Sequence, residues 1–313
     1  MSSVSIPTTT RPLSLSRDAG IKSILILTTV LLDIVLIASL DLRFPLEDLL
    51  RPLLTATILS GVGLWYLRRQ EYGFVMCLLS LTQLVLFTSA YTVLMYAEAA
   101  IDMPLVDPHL AAFDQMLSIR IDHIATWAAR SPALSVPLGI AYDTVMLQTA
   151  LAVIVLGFAN RRRDLESFVL QFMLTTLTCA VMFVLLPADG PFVTYGYTPN
   201  DAQERFLHDF HDMRSHHRTL VTWRNAEGLI TCPSFHTTWA ILLAWAFRGI
   251  RYFRFPILLL NVLVVTSTMT TGWHYFADVV SGALLAAVGI AVVNRLQPWL
   301  YEEDGQPRLM RLV

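Results

Sequence analysis

Lysine is almost missing from this chain of 313 residues: of its 22 basic residues only Lys22 is a lysine, and the others are arginine. With 24 acidic residues the formal net charge is -2, so no basic excess is left to neutralise a nucleic-acid backbone. Charge of either sign is scarce, at 15% of residues, where an ordinary soluble domain carries roughly 25%. Cysteine is scarce as well. Cys77, Cys179 and Cys232 lie in or beside apolar runs without paired spacing, which excludes a disulfide framework and a thiolate metal site and leaves them as small apolar side chains. There is no Asn-x-Ser/Thr sequon, internal repeat or low-complexity tract. No convincing small-residue cleavage site follows Arg11, Arg17 and Lys22, so the first apolar run reads as retained.

What the chain has in quantity is apolar surface. Hydrophobic residues make up 55% and the mean hydropathy is +0.57, so lipid is the expected solvent. Eight charge-poor runs approach the roughly 20 residues of a bilayer-spanning helix: 21–40, 50–67, 73–97, 133–157, 165–187, 232–248, 255–272 and 274–295. The expected fold is therefore all-α, a polytopic membrane helix bundle. Between the third and fourth runs, residues 108–132 place apolar positions three and four apart with polar ones between, the pattern of helices lying in the interface rather than crossing.

Eight crossings put both termini on one side, and that side carries fourteen of the 22 basic residues. Cytoplasmic loops retain arginine and lysine, so the termini are expected in the cytoplasm and the long loop 188–231 outside it, with the plasma membrane as the location. Within that loop the stretch from Asn200 to Arg214 opens on an acidic cap followed by Glu204. Phe206, Leu207, Phe210 and Met213 then share one face, which predicts a short helix lying on the membrane. Residues 1–20 read as a loose cytoplasmic N-terminus, 21–72 as the first two spans, 73–296 as the remaining six with the loop 188–231, and 297–313 as a cytoplasmic tail.

The sixth run opens with Thr231-Cys232-Pro233-Ser234-Phe235-His236. Proline suits the first position of a helix, with Thr231 or Cys232 as its cap, and the free amides of the first turn beside a small hydroxyl make an anion site. A short basic turn and the seventh run then carry the chain out and back, so that His274 in Gly272-Trp273-His274-Tyr275-Phe276-Ala277-Asp278 returns to the side of His236. Asp278 is four residues beyond His274, a spacing that lets a carboxylate hold one ring nitrogen and leave the other free to attack. Two imidazoles, one oriented by an acid and both beside an anion cradle, can transfer a phosphoryl group through a phosphohistidine. Either histidine alone would read as an interfacial residue; it is their combination with Asp278, Ser234 and Pro233 that favours chemistry.

At these residues the chain resembles the type 2 phosphatidic acid phosphatase superfamily. Pro233-Ser234-Phe235-His236 is similar to its Pro-Ser-Gly-His motif, and His274 to Asp278 to its His-x-x-x-Asp motif. The resemblance covers roughly residues 73–296 and implies a six-helix core preceded by two extra transmembrane helices, acting on membrane lipids with no metal and no cofactor. It implies His274 as nucleophile, Asp278 as its orienting partner, His236 as general acid, and Ser234 with Phe235 at the substrate phosphate. Two departures stand out: no Lys-x6-Arg-Pro motif occurs, and Thr268 stands where the family has an arginine six residues before the histidine. Arg224, Arg218 or Arg214 from the outer loop would then meet the phosphate, with Arg224 nearest the motif. Phe235 in the glycine position, His274-Tyr275 and the segment Pro187–Phe192 resemble the inositol phosphorylceramide synthase branch, which transfers a phospho-headgroup to a lipid alcohol. Release of phosphate to water, from phosphatidate or a polyprenyl diphosphate, is the alternative.

Other polar residues carry less. Solvated ion pairs with the six acids of their loop are the plain reading of Arg214, Arg218 and Arg224. His208, His211, His216 and His217 match no metal-ligand spacing and read as the polar face of the loop helix. Asp33 and Asp143 fall near mid-span, where hydrogen bonding to neighbours such as Gln83, Gln148 or Gln171 is expected. A lipid transporter built on such acids, or a non-catalytic binding member of the fold, are the readings of another class. A transporter predicts paired broken helices related by a repeat, which the chain does not contain.

Overall fold

In the structure, a computed structural model, residues 17–223 and 226–301 are described. The N-terminal sixteen residues, the tail beyond residue 301, and Arg224 with Asn225 lie outside them. The described residues form an all-helical bundle, and each of the eight apolar runs becomes helix: α1 (Arg17–Ser39), α2 (Leu50–Arg68), α3 (Tyr72–Ala99), α6 (Pro132–Asp143) with α7 (Val145–Phe158), α8 (Arg162–Leu185), α11 (Phe235–Ala246), α12 (Arg254–Thr270) and α13 (Phe276–Leu300). Between them lie α4 (Asp107–Met116), α5 (Ile121–Ala129), α9 (Pro191–Tyr195) and α10 (Asp201–Arg214).

Five of these, the α2 span counted from Leu46, are long and apolar enough to cross a bilayer. The fourth run, expected to be one helix, is broken instead, with α6 and α7 meeting at 49°. Thr144 at the break turns its hydroxyl back to the Ala141 carbonyl at 2.6 Å and accepts from Gln148 Nε2 at 2.9 Å. Asp143 is consequently exposed at a break rather than held mid-span, and Gln148 is engaged by Thr144 and Asn261. The outward sides of the spans are rich in apolar side chains, as Leu27, Leu31, Ile34, Leu54, Val181, Leu259, Leu284 and Val288 are all exposed. Such a surface is stable only in hydrocarbon. The protein is an integral multi-pass membrane protein.

The helix pair α1 and α2 packs on α3, and α3 packs on α7 and α8. Two of the tight reversals are made without glycine. Gln70 and Asn160 take left-handed conformations at φ 61° and 54°, and Glu71 N to Tyr66 O (3.1 Å) and Arg161 N to Leu156 O (2.9 Å) close the helix ends behind them. One end of the bundle is tied by Arg248 to Asp164, Gln297 to Ser167 and Arg17 to the Trp299 carbonyl. The opposite end is roofed by the loop 188–231. There the apolar face of α10 differs from expectation: Phe206, Phe210 and Met213 are all fully buried against Tyr96, Phe183 and Phe192, so it covers protein rather than lipid. Its cap is Asn200 with Gln203, one residue before the acidic start expected from sequence.

Candidate active site

The site grows from two helix N-termini that lie side by side at the roofed end. α11 starts later than its apolar run, because Ser234 and not Thr231 or Cys232 is its cap, and Pro233 stands outside the helix. Ser234 is fully buried; its Oγ accepts from Thr237 Oγ1 at 3.1 Å and from Thr237 N at 3.4 Å. Its own amide donates to the Asp278 carbonyl at 3.0 Å, which removes it from the expected anion cradle. Among the described residues the amides of Phe235 and His236 have no acceptor, so the cradle is reduced to those two. Gly282 lets the helices meet this closely: a Cβ there would stand 2.3 Å from the Ser234 carbonyl oxygen.

α13 also begins later than its run, at Phe276. His274 is therefore outside the helix, in the turn that follows Gly272, whose φ of 75° and contact with the Tyr197 hydroxyl require a residue without a side chain. His274 is 2% exposed, and its Nδ1 lies 2.8 Å from the Thr231 carbonyl oxygen. A carbonyl only accepts, so Nδ1 carries the proton and Nε2 keeps its lone pair. Asp278 stands at 3.5 Å from the same Nδ1. That is an ion-pair distance and longer than a good hydrogen bond; the carboxylate's 2.9 Å bond is to the Tyr275 amide. The sequence spacing predicts Asp278 as the ring's holder, whereas a backbone carbonyl 43 residues earlier in the chain takes the closer place.

His236, in the first turn of α11, is half-buried and lies face to face with Tyr142 of α6, ring centroids 3.9 Å apart. The Ser234 amide bonded to the Asp278 carbonyl joins the starts of α11 and α13, which puts His236 and His274 at the same end of the bundle. Phe235 points elsewhere: its ring packs among Phe172, Trp239 and Tyr91 in the core. Arg214 and Arg218 are not brought to the histidines as free charges. Arg214 pairs with Asp102 and donates to the Met103 carbonyl at 2.6 Å, and Arg218 pairs with Asp209 over the Tyr96 ring. Arg224 lies outside the described residues. Among the described residues no group of three or more His, Cys, Asp or Glu side chains could hold a metal ion. A groove of about 430 Å³ between α11 and α12, lined by Trp245, Arg248 and Arg254, adjoins the other end of α11 and has no part in this site.

Two carboxylates that sequence reasoning passed over reach the site from α4. Asp114 accepts from the amides of Phe276 and Ala277 at 2.8 and 2.9 Å. Asp107 accepts from the Tyr275 hydroxyl at 2.9 Å and from the amides of Asp189 and Gly190 at 2.9 and 2.8 Å. Their spacing of seven, on one face of a short amphipathic helix, was the one available signal.

With this geometry in place, comparison with protein families is decisive: residues 108–292 match the profile of the PAP2 superfamily, the type 2 phosphatidic acid phosphatases and their relatives. The chain belongs to the PAP2 superfamily. The matched stretch holds His236, His274 and Asp278, begins inside α4 and excludes α1 to α3. No curated protein and no solved structure gives a significant match. PAP2 membership makes this chain a member of a family of phosphatases and phosphotransferases, and its place in the membrane points to lipid substrates.

Proposed function

We propose that this PAP2 protein is a metal-independent lipid phosphotransferase that carries a phospho-headgroup on His274 from a lipid donor to a lipid alcohol, in the manner of inositol phosphorylceramide synthases. The observation that supports it is the His274 ring, fixed at Nδ1 by the Thr231 carbonyl and flanked by Asp278, with Nε2 free to attack. In the first half-reaction the Nε2 lone pair bonds to phosphorus, the bond from phosphorus to the departing oxygen breaks, and His236 gives that oxygen its proton. A phosphate anion beside His236 favours the protonated ring that this step needs. In the second half the acceptor hydroxyl gives its proton to His236, its oxygen bonds to phosphorus, and the nitrogen–phosphorus bond breaks. Positive charge that develops on the attacking ring is met by Asp278.

Charge around the site favours transfer of a phosphodiester. Arg214 and Arg218 are paired with carboxylates, and Asp114 already occupies the first-turn amides of α13. The two open amides of α11 match a phosphodiester monoanion better than a phosphomonoester dianion. The arginine bias supports an active site on the extracytoplasmic side, in the plasma membrane on this reading.

The test supplies the purified protein in turn with phosphatidate, a polyprenyl diphosphate, and phosphatidylinositol plus ceramide or diacylglycerol. A new phospholipid from the phosphodiester donor is expected, lost in His274→Ala together with an acid-labile phosphoenzyme. Free phosphate as the sole product from every donor would establish hydrolysis instead, and full turnover by His274→Ala would remove His274 from the chemistry.

A further inference from the structure

We propose that the interfacial helix α4 is the positioning element of the nucleophile, acting through Asp107 and Asp114; this rests on the reading of His274 as the attacking group. Asp107 and Asp114 are two helical turns apart and so share a face, and they are 6% and 0% exposed. Burying two carboxylates is costly unless each is fully hydrogen-bonded. Here each is: both partners of Asp114 and the Tyr275 hydroxyl on Asp107 belong to residues just after His274, and Asp107 also accepts from the amides of Asp189 and Gly190. The four consecutive amides from His274 to Ala277 are all taken, by the Thr268 carbonyl (3.2 Å), Asp278 (2.9 Å) and the two oxygens of Asp114 (2.8 and 2.9 Å). Asp107 adds a side-chain grip on Tyr275, whose hydroxyl also shares a 2.5 Å hydrogen bond with Thr194 of α9.

The consequence is a nucleophile whose backbone has no freedom although it lies in a turn rather than a helix. Its ring is left one soft motion, and the Thr231 carbonyl restrains that. Asp114 has a second effect. The first-turn amides of α13 would otherwise be the nearest alternative anion site to His274; filled by a fixed carboxylate, they repel a phosphate, which is left to the α11 amides beside His236. α4 thus sets both where the attacking nitrogen stands and where phosphorus cannot go.

A merely structural cap would change stability and leave turnover per folded molecule intact, whereas misplacing a nucleophile by about 1 Å costs on the order of 100-fold in rate. The experiment uses the full chain in mixed micelles with phosphatidylinositol as donor and ceramide as acceptor, reading kcat and KM separately beside the thermal transition of each variant. Asp114→Asn is expected to lower kcat about 10- to 100-fold with KM within about twofold. Tyr275→Phe and Asp107→Asn, which remove the two ends of one hydrogen bond, are expected to lower kcat by similar factors, and the double variant to be no worse than the more impaired single one. Wild-type kcat in a folded Asp114→Asn, or losses at Asp107 and Tyr275 that multiply in full, would overturn the proposal. Should Asp114→Asn not fold, wild-type kcat in Tyr275→Phe would do so alone. His274→Ala, run in parallel, separates the two readings: activity retained there rejects the nucleophile itself, while activity lost there but intact in the α4 variants rejects only the role of α4.

Discussion

At the scale of single residues, the tautomer of His274 is held by an atom that no substitution removes. In a hydrolase triad the loss of the acid partner is severe chiefly because the ring takes the wrong tautomer. Here the Thr231 carbonyl secures the tautomer at 2.8 Å, while Asp278 contributes charge from 3.5 Å. Asp278→Asn is therefore expected to reduce kcat by about 10- to 100-fold without abolishing it, in initial-rate measurements at saturating donor. The residue also predicts a pH effect at the rim. The Arg120 guanidinium hydrogen-bonded to Asp122 holds that carboxyl below its ordinary range. A depressed acid stabilises the fold above its unfolded pKa of about 3.9 and loses that contribution as pH falls through the lowered value. Because the pair is solvent-facing, Asp122→Asn should shift the thermal midpoint by only about 1 to 3 °C at pH 7 and by nothing measurable once the medium is acid enough to protonate Asp122. A larger shift would mean that the pair is more than a surface contact.

At the scale of elements, the site depends on α11 and α13 approaching within backbone contact. Gly282→Ala would set a Cβ 2.3 Å from the Ser234 carbonyl oxygen and 3.3 Å from the Thr237 side chain, and the neighbour is backbone that cannot swing away. Overpacking of this kind costs about 1–3 kcal/mol, and since it pries His274 from Thr231 it should depress activity more than stability. A variant with a lowered thermal midpoint but full kcat would contradict that linkage. The roof helix α10 offers a contrasting test. Phe210 is fully buried against Phe183 and Phe206, so Phe210→Ala should cost about 3–5 kcal/mol, measured by unfolding in detergent. If α10 rested on lipid instead, the loss would be slight. Sequence periodicity located this helix and its apolar face but not what the face covers, because the 3.6-residue pattern of a helix on a membrane and of a helix on a protein roof is the same.

At the scale of the whole molecule, the sequence reading has eight segments alternating between two ends. The pairing of arginine-bearing turns at one end and histidines at the other follows from that parity. Cysteine-accessibility labelling in intact cells is expected to find a residue placed in the 188–231 loop reactive from outside and one placed beside Arg251 protected. The reverse pattern would invert the orientation. Because the proposed chemistry uses two imidazoles and a carboxylate, turnover should survive excess EDTA and follow a bell-shaped pH profile. Loss of activity restored by a divalent cation would count against it.

The amino-acid sequence alone determined the solvent, the number of apolar segments and the return of His236 and His274 to one end, since each is a matter of length, composition and parity along the chain. It also carried the two motifs on which the family resemblance rests, and the match over residues 108–292 bears that resemblance out at the level of the superfamily. Only the tertiary structure decided that α11 begins at Phe235 and α13 at Phe276, that the fourth segment is broken at Thr144, and that Arg214 and Arg218 are engaged by Asp102 and Asp209. The same holds for the Thr231 carbonyl on His274, Tyr142 on His236 and Asp114 on the first amides of α13. Each of these last three is a contact between parts of the chain far apart in sequence, made by backbone atoms or by side chains of ordinary type. A backbone carbonyl is identical at every position, so nothing in a string of residues distinguishes the one that will meet a ring nitrogen until the helices are packed.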